Sequence, residues 1–200
     1  MTASPDARGG AAVLAASTLI DTVAARTSAP GGGVVLAVVS GLAAALGGMS
    51  ARFAEGEPSQ LAERTDQMQS RALELAERDL VAYDRYMAAR RQSRPPDEVA
   101  LALDELVGVP LEIASLAAEV ATMALRLVDD GNPRLRGDAA TAVLLAASAT
   151  RAAAVLVCEN LRGAVSRTPL DQARDAVGVA GRAEQALLAQ YPELSPPEPA

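Results

Sequence analysis

The stretch LAERTDQMQSRALELAERDLVAYDRYMAARR, residues 61–91, decides the fold. Leu61, Thr65, Met68, Ala72, Leu75, Ala82, Tyr83 and Tyr86 recur at three- and four-residue steps, the period of one face of an α-helix rather than the two-residue period of a strand. The helix begins just past the breaker Glu55-Gly56-Glu57-Pro58, with Ser59 where an N-cap belongs and Glu63 four residues later. It ends near Arg91, at the charged, proline-containing connection from Arg90 to Pro96. Asp79 falls on the apolar stripe itself. A carboxylate turned toward a helical core is costly unless something there needs it, so Asp79 is a candidate for chemistry as well as for an interhelical salt bridge.

Upstream, a first helical pattern runs from about Ala11 to Arg26 and stops at Thr27-Ser28-Ala29-Pro30-Gly31-Gly32-Gly33, the strongest breaker in the chain. A second helix follows to about Ala54. Within it, Val34 to Ala51 carries no charge for 18 residues, close to the length of a membrane span. Its Gly41, Gly47, Gly48, Ser40, Ser50 and many alanines suit close helix packing better, and a central helix buried all round accounts for the same pattern. No membrane is expected as a partner.

Downstream, Asp97 is expected to cap a fourth helix reaching about Val128 and kinked at Pro110, after Gly108. The loop Asp129 to Gly137 leads to Asp138 at the head of a fifth helix running to about Val165. Pro169 opens a sixth that ends near Gln190. No strand pattern appears, and helices joined by short loops predict an all-α, antiparallel multi-helix bundle of about five or six helices. Residues 1–191 are read as a single domain, and the four prolines of residues 192–200 as a flexible tail.

Composition narrows the chemistry. Of the 200 residues half are apolar but only 2% aromatic, so the core must be built from Ala, Leu and Val at close range. A net charge of −7 and an absence of Trp argue against nucleic acid as a partner. With no His, there is no His base, no Ser-His triad and no commonest metal ligand; the lone Cys158 forms no internal disulfide, and no metal site is expected. Any acid or base is Asp, Glu or Tyr. The first residues, with Asp6 and Arg8 before small residues, do not read as a secretory signal, and a reducing, cytoplasmic location is expected.

Two further features complete the candidate site. Asp138 lines up with Ala142, Leu145, Ala149, Ala152 and Leu156, at the head of the apolar face of the fifth helix, where it reads as catalytic or as an N-terminal cap. The Pro-Gly-Gly-Gly turn lets backbone approach a ligand and leaves free amide donors on the helix that follows, although a tight helix connection explains it as well. It lacks the Gly-Lys-Ser/Thr ending of a phosphate loop and follows a helix, not a strand.

Taken in order, these segments resemble one family, the formiminotransferase-cyclodeaminase C-terminal domain and the methenyltetrahydrofolate cyclohydrolases related to it. SAPGGG at residues 28–33 resembles the family's Pro-Gly-Gly-Gly turn, and DLVAYDRYM at 79–87 its acidic-aromatic stretch. GVPLEI at 108–113 resembles its Val-Pro kink, DGNPRLRGD at 130–138 the Gly-Asn loop before a catalytic Asp, and Asn160-Leu161 the Asn-Leu closing the next helix. The resemblance covers about Leu19 to Val165 and implies a dimeric enzyme of tetrahydrofolate carrying one carbon at the oxidation level of formate. Two reactions are implied: cyclodeamination of 5-formiminotetrahydrofolate to 5,10-methenyltetrahydrofolate and ammonia, or cyclohydrolase interconversion of the methenyl and 10-formyl forms.

It further implies Asp138 as the acid-base group with Asp79 supporting. Pro30, Gly31, Gly32, Gly33, Arg52, Tyr83, Asn132 and Asn160 are implied as folate-binding. No permanently bound cofactor is expected; a tetrahydrofolate derivative is the substrate, and a homodimer the assembly. The chain departs from the family at Gly137, where Ser is common, at Arg52 and Leu156, where Asn is common, and at the bulky Val34 after the glycines. Arg52 offers instead a bidentate contact to the folate glutamate tail. A catalytically degenerate helical protein that binds folate or serves as a scaffold is the alternative.

Overall fold

The computed structural model describes residues 5–162 and 168–194, with side chains from residue 13 onward. Among these residues there are six α-helices and no strand: α1 (Pro5–Ala24), α2 (Gly32–Arg52), α3 (Leu61–Arg91), α4 (Pro96–Asp130), α5 (Arg136–Asn160) and α6 (Thr168–Leu188). The all-α expectation holds. The fifth helix ends at Asn160 with Leu161 as its C-cap, short of the expected Val165, and the first residues of the expected flexible tail, Pro192–Leu194, form a 3-10 turn; the rest of the tail, from residue 195, lies outside the described residues. The chain divides into two units, Met1–Gly31 and Gly32–Ala200, the first of which contains α1.

In the second unit α4 is the axis. It packs against α2, α3, α5 and α6, and its buried residues include Val109, Ile113, Ala114, Ala117, Val120, Ala121, Ala124 and Leu127. Around it the order is α3, α2, α5, α6, open between α3 and α6, where a groove of about 620 Å³ is lined by Arg71, Glu112, Ser115, Gln172 and Asp175.

Small residues set these distances. A methyl group on Gly41 would lie 3.2 Å from Ala72 Cβ, and one on Gly48 would lie 2.5 Å from Thr65 Oγ1. Rising numbers on α2 therefore meet falling numbers on α3, and the two helices are antiparallel. Ala37, Ala43, Ala44 and Ala51 of α2 are fully buried among the neighbouring helices, as expected of a core helix.

Two helix starts differ from the sequence expectation. Ser59 is not the cap of α3: it lies in a 3-10 turn, Glu57–Gln60, where its hydroxyl donates to the Gly56 carbonyl at 2.6 Å, and Gln60 holds the cap position. Asp97 does not cap α4, which begins one residue earlier at Pro96 with Pro95 as N-cap; a proline at the first helical position needs no N–H acceptor. Asp97 lies in the first turn, where its charge suits the helix dipole.

α4 continues unbroken through Pro110. Proline lacks the N–H that would bond the carbonyl four residues back, which leaves the Leu106 oxygen without its helical partner. Asn160 Nδ2 donates to that oxygen at 2.9 Å. Two sequence signals fifty residues apart, the proline of α4 and the asparagine closing α5, are thus one device.

Candidate active site

The best candidate site is where α2 begins. A methyl group on Gly33 would overlap the Asp79 carboxyl group, so only glycine lets the carboxylate lie against the backbone there. The first amides of a helix have no intrahelical acceptor, and the Val34 N–H donates to Asp79. Burial pushes the Asp79 carboxyl above its ordinary range, and the Val34 hydrogen bond opposes that shift without cancelling it. The result is a half-buried carboxyl that keeps its proton to higher pH than a solvated one, set against backbone donors.

Other expected residues assemble at this end. Tyr83, half-buried, lies one helical turn from Asp79 on the same face of α3. Leu156 of α5 closes the site from the other side, 3.5 Å from where a Gly32 methyl would be. Asn160 lies one turn beyond it, with its amide nitrogen committed to Leu106. Pro30 and Gly31 belong to the first unit, and a methyl on Gly31 would meet nothing within 4 Å.

The remaining candidates lie at the opposite end of the bundle. Arg52, at the last turn of α2, holds both oxygens of Asp66 at 2.6 Å, and both side chains are about half exposed. Asn132 Nδ2 donates to the Phe53 carbonyl at 2.9 Å, while its Oδ1 accepts from the Arg134 N–H, fixing the loop against the end of α2. Asp138 is half-buried in the first turn of α5, three residues past the N-cap Leu135.

The expectation that Asp138 shares a cavity with the glycine turn is not met within one chain. Leu156 is the α5 residue that meets Gly32, and Asp138 lies 18 residues earlier on the same helix. At 1.5 Å per residue that is about 27 Å.

Sequence reading missed Ser50. Its hydroxyl is buried, at 2% exposure, and has no hydrogen-bond partner among the described residues. Because α2 and α5 are antiparallel with Gly32 level with Leu156, Ser50 is level with Asp138, on the side of α2 turned toward α5. The spacing carried no signal for this, because a serine among alanines reads as helix packing. Also missed was Glu112 of α4, which accepts from Arg71 and, through both oxygens, from Arg78 at 2.7 and 2.8 Å. The Arg78 hydrogen bond holds Glu112 below the ordinary carboxylate range against the opposing effect of burial.

Against this geometry the comparisons are decisive for kinship. The sequence matches the formiminotransferase-cyclodeaminase family over residues 15–177. The chain belongs to that family. The cyclodeaminase match spans α2 to α5 and about the first half of α6, hence every candidate site residue named above. Among solved structures, the formiminotetrahydrofolate cyclodeaminase of Thermotoga maritima is similar, with a TM-score of 0.77, 25% identity, and coverage of 86% of this chain and 95% of that one. No curated protein matches. Family and neighbour together place the chain among folate cyclodeaminase-like one-carbon proteins.

Proposed function

We propose that the protein is a cyclodeaminase of 5-formiminotetrahydrofolate and that Asp79 is its proton shuttle. The observation that carries this is a carboxyl group with its proton affinity raised by burial, seated on the Val34 amide at the start of α2 and against the backbone of Gly33. Ring closure needs N10 to attack the formimino carbon and lose its proton, and ammonia loss needs a proton on the departing nitrogen. One carboxyl serves both steps: it takes the N10 proton as the N10–C bond forms and hands it to the nitrogen as the C–N bond breaks. A pKa above the usual carboxylate value suits a group that alternates between base and acid near neutrality. Gly32 and Gly33 let the ligand approach the backbone, and Tyr83 lies one turn from the carboxyl.

The Thermotoga maritima neighbour, named for this reaction, supports the choice of deamination over hydrolysis of the methenyl form. The resemblance alone assigns the shuttle to Asp138. The geometry favours Asp79, because Asp138 is at the far end of α5 from the glycines. A folate-binding protein without catalysis is the second reading. It draws on the internal partners already held by Arg52, Asn132 and Asn160.

The test is turnover of 5-formiminotetrahydrofolate, followed by methenyl absorbance and released ammonia. Asp79→Asn is expected to lower kcat by about 100-fold or more, while Asp138→Asn keeps most of it. Full activity in Asp79→Asn overturns the assignment. Folate binding by the wild type without turnover selects the second reading.

A further inference from the structure

The corner that holds Asp79 is built from residues with little or no side chain. Gly32 and Gly33 of α2 contribute backbone alone, and the residues three before and three after Asp79 on α3 are the buried alanines Ala76 and Ala82. One turn before Leu156, α5 likewise carries the buried Ala153. Into this corner α5 sends Leu156. Its two methyl groups lie 3.5 and 3.6 Å from where a Gly32 side chain would be, while the Asp79 carboxyl fills the place of a Gly33 side chain. Consecutive Cα atoms are about 3.8 Å apart, so a leucine from one helix and an acid from another rest on neighbouring residues of the same helix start.

No charge holds the acid there. α2 carries no charged residue before Arg52, at its far end. On α3, Tyr83 is one turn on, Glu77 and Asp84 are exposed, and Arg78 and Arg85 are bound to Glu112 and Glu105 of α4. On α5, Glu159 is paired with Arg162 at 2.6 Å, Cys158 is exposed, and the Asn160 amide is committed to Leu106. Burial is therefore what separates Asp79 from an ordinary carboxylate, and the Val34 N–H works against it. Val34 itself is turned into the core, and Tyr83 continues the face of α3, so the cover from the side of α5 is Leu156.

We propose that Leu156 is a positioning residue for this site: its two methyl groups keep water from the side of the Asp79 carboxyl that the glycines leave bare, so that the carboxyl exchanges its proton with a bound substrate and not with solvent. The substrate in this statement rests on the cyclodeaminase reading above; the shielding does not. Leucine does what a polar side chain of the same size would undo. An amide in its place would donate to the carboxylate or hold a water against it, and either favours the charged form. The glycines permit the arrangement from the other side, since a methyl group on Gly33 would displace the acid and one on Gly32 would rest on the leucine.

The test reads Asp79 directly. In protein carrying carbon-13 at the aspartate carboxyls, the Asp79 signal is identified by its loss in Asp79→Asn, and its titration midpoint is followed by NMR without substrate. Leu156→Asn, close to leucine in size, is expected to bring the midpoint down toward the ordinary carboxylate range. Leu156→Ala, which removes the methyl groups and adds nothing polar, is expected to move it the same way and carries the test if the asparagine variant loses its helical circular dichroism. Leu156→Met, apolar and of similar volume, is expected to keep it. So is Val155→Asn, altered at a neighbouring position that is 57% exposed. A wild-type midpoint in Leu156→Ala, or one lowered as far by Val155→Asn, overturns the proposal.

Turnover of 5-formiminotetrahydrofolate supplies the second readout. In Leu156→Asn the kcat at neutral pH is expected to fall by about 10-fold and its pH optimum to move toward acid, whereas Leu156→Met keeps the wild-type optimum. A leucine that served packing alone would lower the melting temperature of the variants and leave midpoint and optimum in place, which overturns the proposal. The midpoint needs no substrate, so the two readings fail separately. A lowered midpoint in a protein without turnover keeps Leu156 as the shield and rejects the cyclodeaminase, and an unmoved midpoint with turnover intact does the reverse.

Discussion

The two ends of this bundle are joined by the same pair of helices, α2 and α5, yet they treat a carboxylate in opposite ways. At the glycine end Asp79 has no cationic partner within hydrogen-bonding reach among the described residues. Its contacts are a backbone amide and the bare backbone of Gly33, and burial raises its affinity for a proton. At the loop end Asp66 lies in solvent with an arginine across both oxygens. The charge of a carboxylate paired with arginine is already compensated, whereas a half-buried carboxyl with no cation beside it holds its proton more tightly than a solvated one. Chemistry here follows from what surrounds the acid, not from the presence of an acid on an apolar stripe.

The contrast is broken most severely at Gly33. Gly33→Ala puts a methyl group where the Asp79 carboxyl lies, so the side chain must swing away and lose the Val34 N–H. The expected costs are about 1–3 kcal/mol of stability, as for other overpacked sites, and a fall in kcat of about 100-fold from the misplaced acid. Gly31→Ala, with open space at that position, is expected to change stability little. Thermal melts and steady-state kinetics on the pair check this, and equal behaviour of the two variants would remove Gly33 from the argument.

Asn160 comes next. Asn160→Ala leaves the Leu106 carbonyl without a partner at a half-buried position and is expected to cost about 1–2 kcal/mol. Pro110→Ala supplies the missing N–H from within α4. In that background the Asn160→Ala cost is expected to shrink by about half or more, a coupling that a double-mutant cycle in urea measures directly. Additive costs would mean that the two residues are independent.

How much of this was legible in the sequence follows from the same residues. The three-and-four stripe of residues 61–91 gave α3 its ends within a residue or two and turned Asp79 inward, because helical period depends only on local spacing. The family resemblance named the motifs in their order. Neither could say which motifs meet. Gly33 and Asp79 come together because α2 and α3 are antiparallel in one register, while Asp138 is carried to the other end because α5 is 25 residues long. Pro110 did announce its orphaned carbonyl, four residues back, but the donor comes from another helix, and its identity is a tertiary fact. Caps were misread for a simpler reason. Ser59 and Asp97 have the right chemistry within a few residues of a helix start, and prolines and a 3-10 turn moved the starts themselves.

Titration separates the two ends by sign. Asp79 has its folded-state pKa raised, so its charged form weakens the fold above that pKa, and the penalty disappears as pH falls below the unfolded-state value. Asp79→Asn is therefore expected to melt higher than the wild type at neutral pH, with the gain fading toward acid pH. Glu112, with its pKa lowered by Arg78, runs the other way: the stability it contributes is present above the unfolded-state value and is lost as pH falls through the lowered one. Melting curves of Asp79→Asn and Glu112→Gln across pH should diverge at neutrality and converge in acid. Parallel curves would show that the glycine end does not perturb its carboxyl.

The smallest effect belongs to the loop end. Asp66→Asn removes a pair in which both side chains are about half exposed, so solvent and salt already screen most of its attraction. The expected change is below about 0.5 kcal/mol and should vanish in molar salt. If the variant instead lost more than about 2 kcal/mol, Arg52 would be anchoring the end of α2 as part of the fold. The guanidinium would then not be free to leave Asp66 for a ligand, and the two ends would differ less than the structure indicates.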